Sequence, residues 1–272
     1  HTNDWFGYNP GSRAQSEHEV PWITTFHSLS SDRNADPPDR EVRTEQRVTN
    51  RSDHLIAVSH YTARKLRREY GGEAGVIHNG FPSVEPTGRD LKAELGIDGK
   101  MLFFVGRHTD QKGIEYLLYA LSHLRRDDVT LVVGGTGHLT DQLEKFTELA
   151  GVEDSTQYVG YIEEEELADY YASADLFVSP SRSEPFGITV VEALSAGTRV
   201  VSTECGAAEV LPDDCLIQVG RDSQSIAAGI ERGLALDGPI EYEERTWADV
   251  AEDHEAFYEA VLDGEDPAAA VD

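Results

Sequence analysis

The sequence predicts an α/β protein built from two Rossmann-like domains, and three observations carry that prediction. Short β-rich runs alternate with amphipathic stretches almost throughout the 272 residues, the pattern of βαβ units and parallel sheets. The stretch Gly80-Phe81-Pro82-Ser83-Val84-Glu85-Pro86-Thr87-Gly88, rich in Gly and Pro, interrupts the alternation as a linker. Soon after it, Met101-Leu102-Phe103-Phe104-Val105 reads as the first strand of a fresh domain.

In chain order, the expected strands before the linker are Trp22–Phe26, Leu55–Val58 and Val76–His78. After it come Leu102–Val105, Thr130–Val133, Tyr158–Gly160, Leu176–Val178, Arg199–Ser202 and Leu216–Val219. Between them, Ile114, Leu117, Leu118, Leu121 and Leu124 recur at helical spacing, as do Leu139, Leu143, Phe146 and Leu149. A last helix runs from Thr246 to about Leu262 with apolar Trp247, Val250, Phe257 and Val261. The domains are therefore set at 1–83 and 84–248. A C-terminal helix at 249–263 is expected to pack back toward the first domain, and 264–272 is expected to be a disordered tail.

The charge is extreme and uneven. The chain carries 51 acids against 23 bases, formally −28, and only five of the bases are Lys. Residues 1–83 hold 11 acids and 10 bases, net −1, whereas 84–272 hold 40 and 13, net −27. Such composition resembles the cytoplasmic proteins of an extreme halophile, where carboxylates keep a protein hydrated in concentrated salt. It argues against nucleic acid as a partner of the second half. Cys205 and Cys215 lack metal-ligand spacing, so reduced cytoplasmic thiols are expected. No segment approaches the ~18 apolar residues of a membrane span.

The most informative run is Glu184-Pro185-Phe186-Gly187-Ile188-Thr189-Val190-Val191-Glu192. A short buried strand precedes it, and a helix closed by Gly197 follows. Pro185 and Gly187 punctuate the turn, so the amides of Phe186 to Thr189 can point outward at a helix N-terminus, where phosphate or a polyhydroxylated ligand binds. Taken alone, two glutamates here could equally be solvated helix-end side chains favoured by the macrodipole. In this strand–turn–helix context, the spacing resembles the signature of retaining glycosyltransferases of family 4, which have the GT-B architecture of two Rossmann-like domains facing a cleft.

Further motifs extend the resemblance over residues 1–262. Gly106-Arg107, with Gln111-Lys112-Gly113 opening the next helix, places two cations where a strand meets a helix N-terminus, an anion site suited to a diphosphate. This is similar to the family's G-R…K-G pattern, although surface ion pairs would also explain the two cations. Gly134-Gly135-Thr136-Gly137 resembles its second glycine loop, and a tight turn would account for it equally. Ser202 to Glu209 matches a further loop, with Ala207 where the family often has Gly. His27 stands just past a strand end and matches a family His near the reacting sugar. Arg40 and Arg43 could contact an anionic acceptor, with salt bridges to Glu41 or Glu45 the simpler account. His78-Asn79-Gly80 resembles the I-x-N-G turn that ends the first domain.

The resemblance implies a hexosyltransferase moving a sugar from a nucleoside-diphosphate sugar to a hydroxyl acceptor, with no cofactor. Arg107 and Lys112 would neutralise the departing diphosphate near Gly106, Gly135, Ile188 and Thr189. Glu184 and the amides of Phe186 and Gly187 would hold the sugar, Glu192 the ribose. His27, Arg40 and Arg43 would face the acceptor. The catalytic set is thus Glu184, His27, Arg107 and Lys112. No Asp-x-Asp triplet exists in the chain, which disfavours a metal-dependent enzyme. The start resembles the middle of the family's N-terminal domain, so the first domain is expected to be incomplete and the fragment alone is a candidate for inactivity. An epimerase, a phosphorylase, a nicotinamide-dependent oxidoreductase and a non-catalytic sugar-nucleotide sensor are the alternatives. The run Arg64-Lys65-Leu66-Arg67-Arg68 suggests an anionic acceptor or peripheral contact with the inner face of a membrane. A solvated helix pairing with Glu69 is the plainer account.

Overall fold

The computed structural model describes residues 1–124, 126–212, 215–238 and 240–271. The first unit comprises β1 (Thr2–Asn3), α1 (Tyr8–His18), β2 (Ile23–Phe26), α2 (Ser30–Arg33), α3 (Asp39–Arg51), β3 (His54–Ala57), α4 (His60–Tyr70) and β4 (Gly75–Val76). Its four strands are parallel in the order β1-β2-β3-β4. Local chemistry sets its helices. In α4, the Ser59 hydroxyl accepts the Thr62 amide at the N-terminus, and Gly71 closes the helix in the left-handed region.

The second unit contains α5 (Leu91–Leu95), β5 (Lys100–Val105), α6 (Ile114–His123), β6 (Val129–Gly134), α7 (Thr140–Ala150), β7 (Thr156–Gly160), α8 (Glu164–Ser173), β8 (Leu176–Ser179), α9 (Ile188–Ser195), β9 (Val200–Ser202), β10 (Leu216–Gln218) and α10 (Ser223–Leu234). Its parallel strands run β10-β9-β8-β5-β6-β7. Both faces are covered, which is why β5 and β6 read as continuous apolar runs. Met101, Phe103 and Phe177 pack with Val190, Val191 and Leu194 of α9 on one face. Leu102, Phe104 and Leu131 pack with Leu117, Leu121, Ile226 and Ile230 of α6 and α10 on the other.

The chain then returns to the first unit. Its last helix, α11 (Trp247–Asp263), is opened by Thr246, whose hydroxyl accepts the Asp249 amide. Val250 and Phe257 of α11 join Ile23, Ile56 and Ile77 in the core beneath the first sheet. Where the two connecting segments cross, the Phe81 amide donates to the Arg245 carbonyl at 2.7 Å.

All nine expected strands are present, within a few residues of their expected bounds. One was missed. β1 is two residues long and is defined by pairing with β2, leaving no periodicity to read. The disordered tail expected from 264 does not hold for the described residues. Pro267 is buried in a 3-10 turn, Pro267–Ala270, and Asp266 accepts the Ala268 amide. Side-chain-free Gly75 makes room for it, with the Ala268 Cα only 3.5 Å from where a Gly75 Cβ would stand. The four cations of α4 do not share a solvated face. Lys65 is buried in an ion pair with Asp32, whereas Arg67 pairs with Glu73 and Arg68 with Glu69. No described helix is long and apolar enough to cross a membrane.

Candidate functional site

Strand order in the second sheet reverses at β5, which lies between β8 and β6. The loops after β5 and β8 therefore diverge from a topological switch point, the place where open α/β sheets form a crevice. Gly106 to Gly113 leave β5 there, and Pro180 to Gly187 leave β8. They meet through Lys112, whose Nζ lies 2.7 Å from Glu184 Oε2. The Ser181 hydroxyl donates to the same oxygen at 3.0 Å, and Gln111 Nε2 donates to the Ser183 carbonyl at 3.1 Å. Glu184 is thus a buried carboxylate with its partners supplied.

These loops border a cleft of ≈ 330 Å³ between the two units. From the second unit it is lined by Arg107, Lys112, Glu184 and Phe186 to Thr189, and from the first by His27, Arg33 and Asn79. Arg107 is exposed and has no ion pair among the described residues, so its guanidinium is available to an anion. Gly187 sits at φ 101°, a conformation that suits glycine, and starts α9 by accepting the Val190 and Val191 amides. The amides of Ile188 and Thr189, ahead of those, are in the first turn and lack intrahelical acceptors. Two cations and a helix N-terminus thus surround one carboxylate, a setting for a diphosphate beside a hydroxylated group.

His27 stands at the end of β2, its amide donating to Asp4 Oδ1 at 2.8 Å and its Nε2 lying 3.1 Å from Asn3 Oδ1. Gly106 and Gly135, expected at the donor, are not among the residues that line the cleft, but they pack closely on one another. A Cβ on Gly135 would come within 2.0 Å of the Gly106 carbonyl oxygen, so this close approach admits no side chain. Glu192 lies outside the cleft lining, one helical stretch beyond it on α9. Its Oε2 accepts the hydroxyl of fully buried Tyr171 at 2.8 Å, and burial pushes its carboxyl above the ordinary carboxylate range. Arg40 and Arg43, expected at the acceptor, do not line this cleft. Arg43 pairs with Asp39 one turn away, and both arginines point outward from α3. From the first unit it is Arg33 that reaches the cleft, six residues past His27, where no motif marked it.

Other missed residues fasten the units together. The Ser59 hydroxyl donates to the Pro185 carbonyl at 2.6 Å, and the Tyr61 hydroxyl lies 2.7 Å from Ser183 Oγ. Glu209 accepts the His60 and Tyr61 amides at 2.7 and 2.8 Å, capping α4 from the other unit. Burial works to raise the Glu209 carboxyl, but the His78 imidazole and those amides outweigh it and hold it below its ordinary value. The Ser-Pro-Ser-Arg-Ser string before Glu184 was the available signal for this seam.

The sequence profile of Glycosyl transferases group 1 matches residues 89–246, and that of Glycosyltransferase Family 4 matches residues 1–83. An uncharacterized glycosyltransferase of Methanocaldococcus jannaschii is 29% identical over 97% of this chain and 75% of its own length. A D-inositol 3-phosphate glycosyltransferase of Xylanimonas cellulosilytica is 32% identical over 88% of this chain, which spans 64% of that relative. The sucrose-phosphate synthase of Thermosynechococcus elongatus superposes with a TM-score of 0.79 at 24% identity, covering 97% of this chain and 74% of that one. That likeness establishes the fold, two parallel-sheet units of GT-B type.

Proposed function

The chain belongs to the glycosyl transferases of group 1, and on that premise we propose that it transfers a sugar from a nucleoside-diphosphate sugar to a hydroxyl acceptor, with retention and without a divalent metal. The observation that carries this reading is the convergence of Arg107, Lys112, Glu184 and the first turn of α9 on one cleft, with His27 opposite.

The departing diphosphate gains charge as the glycosidic bond breaks. Arg107, Lys112 and the amides at Ile188 and Thr189 are placed to stabilise it, work that a bound metal does in other transferases. Lys112 keeps two further N–H bonds for phosphate oxygens while paired to Glu184. Because Glu184 Oε2 is already held by Lys112 and Ser181, the carboxylate suits hydrogen bonding to sugar hydroxyls better than nucleophilic attack. The resemblance to retaining family 4 enzymes implies reaction on one face of the sugar, so no enzymic nucleophile is assigned. The leaving phosphate deprotonates the acceptor on the face it departs from, which retains the anomeric configuration.

Two of the similar proteins bear a phosphate ester in their names, D-inositol 3-phosphate glycosyltransferase and sucrose-phosphate synthase. Those names support an acceptor that carries an anion. The test is incubation with nucleoside-diphosphate sugars and sugar phosphates in excess chelator. Nucleoside diphosphate should be released, and NMR of the product should show the donor's anomeric configuration. An inverted product, or activity restored only by magnesium or manganese, contradicts the mechanism.

A further inference from the structure

Beside the donor cleft lies a larger one, ≈ 890 Å³, also between the two units, and Arg33 and Gln111 line both. Its charge is opposite to that of the molecule. Arg33, Arg64, Lys65, Arg68, Arg182 and Arg221 face it, six of the chain's 23 basic residues, against the carboxylates of Asp32, Asp110 and Glu204. In a protein of formal charge −28, a concave surface with a cationic excess marks a place where an anion is held.

The cations divide by how firmly they are engaged. Lys65 is buried against Asp32, and Arg182 pairs closely with Glu115 while lying over the Tyr116 ring. Arg64, Arg68 and Arg221 are 64%, 73% and 47% exposed and pair at 3.2 to 3.9 Å, whereas Arg33 donates to the Ser28 hydroxyl at 2.6 Å and pairs with Glu41 and buried Glu45. Arg64 and Arg221 share one carboxylate, Glu204, at 3.6 and 3.3 Å. Such exposed pairs contribute little and exchange readily for a better anion. The Thr109 hydroxyl, also on this cleft, is buried with no hydrogen-bond partner among the described residues. Five of the six heads are guanidiniums, whose planar forks match phosphate oxygens two at a time.

We propose that this cleft binds the phosphate of the acceptor, with Arg64, Arg68 and Arg221 as its ligands and Glu204 as the internal carboxylate it displaces. The proposal rests on the transfer reaction proposed above. Arg33 and Gln111 then mark the passage through which the acceptor hydroxyl reaches the sugar beside Glu184. Specificity for a phosphorylated acceptor would reside in α4 and the loops after β9 and β10, away from the groups that hold the donor.

Calorimetric titration of inorganic phosphate, with potassium chloride adjusted to constant ionic strength, tests the site. Arg64 and Arg68 are 64% and 73% exposed, so the Arg64→Gln/Arg68→Gln variant should fold. It should bind phosphate about tenfold or more weakly, the loss expected for charge-assisted bonds. Glu204→Gln should bind about threefold more tightly, because the competing carboxylate is gone. Lys112→Gln, which disables the diphosphate site, should leave phosphate affinity within about twofold. Equal affinity in wild type and the double arginine variant, or loss in Lys112→Gln alone, overturns the assignment. A phospholipid headgroup offers the same chemistry as a soluble phosphate ester. Flotation with phosphatidylglycerol vesicles that phosphate competes away, and that the double variant loses, would overturn the soluble acceptor in favour of lipid. If phosphate binds as described but no nucleoside diphosphate binds the wild type, the transfer reading fails and the anion site stands without an acceptor role.

Discussion

Lys112 and Glu184 are 72 residues apart and meet at 2.7 Å, closing the loop after β5 onto the loop after β8. The pair is largely buried, with side chains 17% and 9% exposed. Lys112→Ala would leave the Glu184 carboxylate with Ser181 alone and should destabilise the fold by about 3 kcal/mol, the usual effect of breaking a buried pair. Glu184→Gln should be milder. The double variant should be more stable than the sum of the two losses implies, by about 1–3 kcal/mol in a urea-unfolding cycle. Strict additivity would mean that the pair carries no coupling and that the loops are fixed by other contacts.

Glu209 predicts a pH effect at the seam between the units. Its folded carboxyl titrates below the ordinary 4.5, since the His78 contact and two α4 amides outweigh its burial. A group depressed in the folded state contributes stability that is full above the unfolded value and is lost as pH falls through the folded one. Between about pH 6 and pH 3, wild type should therefore lose about 1–2 kcal/mol more stability than Glu209→Gln. Parallel stability curves for the two proteins would count against the latch.

Much of this was legible because parallel α/β structure writes itself locally. Buried strands such as Phe103-Phe104 and Val132-Val133 are apolar on both faces, and Gly187 punctuates the turn into α9. The order of the strands was not legible, since no local pattern says that β5 lies between β8 and β6. The Lys112–Glu184 pair depends on that order, so two residues read as separate donor contacts proved to be partners. Arg40 and Arg43 fit a spacing but emerge on the outer side of α3, whereas Arg33 reaches the cleft from a four-residue helix with no periodicity of its own. Lys65 looked like one of four surface cations because burial against Asp32, 33 residues earlier, is a tertiary fact.

The acidity of residues 84–272, which span the second unit and the returning helix α11, predicts dependence on salt. With −27 in residues 84–272, like charges repel over about 30 Å at 0.01 M salt but only about 3 Å at 1 M. The melting temperature should rise steeply from dilute buffer to molar potassium chloride. A flat or falling curve would show that the acidic surface is not under repulsive strain.

The central claim is that Arg107, Lys112 and the N-terminus of α9 form a diphosphate site. Calorimetric titration of a panel of nucleoside diphosphates into wild type and Arg107→Ala tests it most directly, because Arg107 is exposed and its loss should leave the fold intact. At least one nucleotide should bind wild type, and Arg107→Ala should weaken it by about 1.5–3 kcal/mol, the range for a hydrogen bond to a charged group. Binding of equal strength in both proteins, or no binding of any nucleoside diphosphate by wild type, would contradict the account.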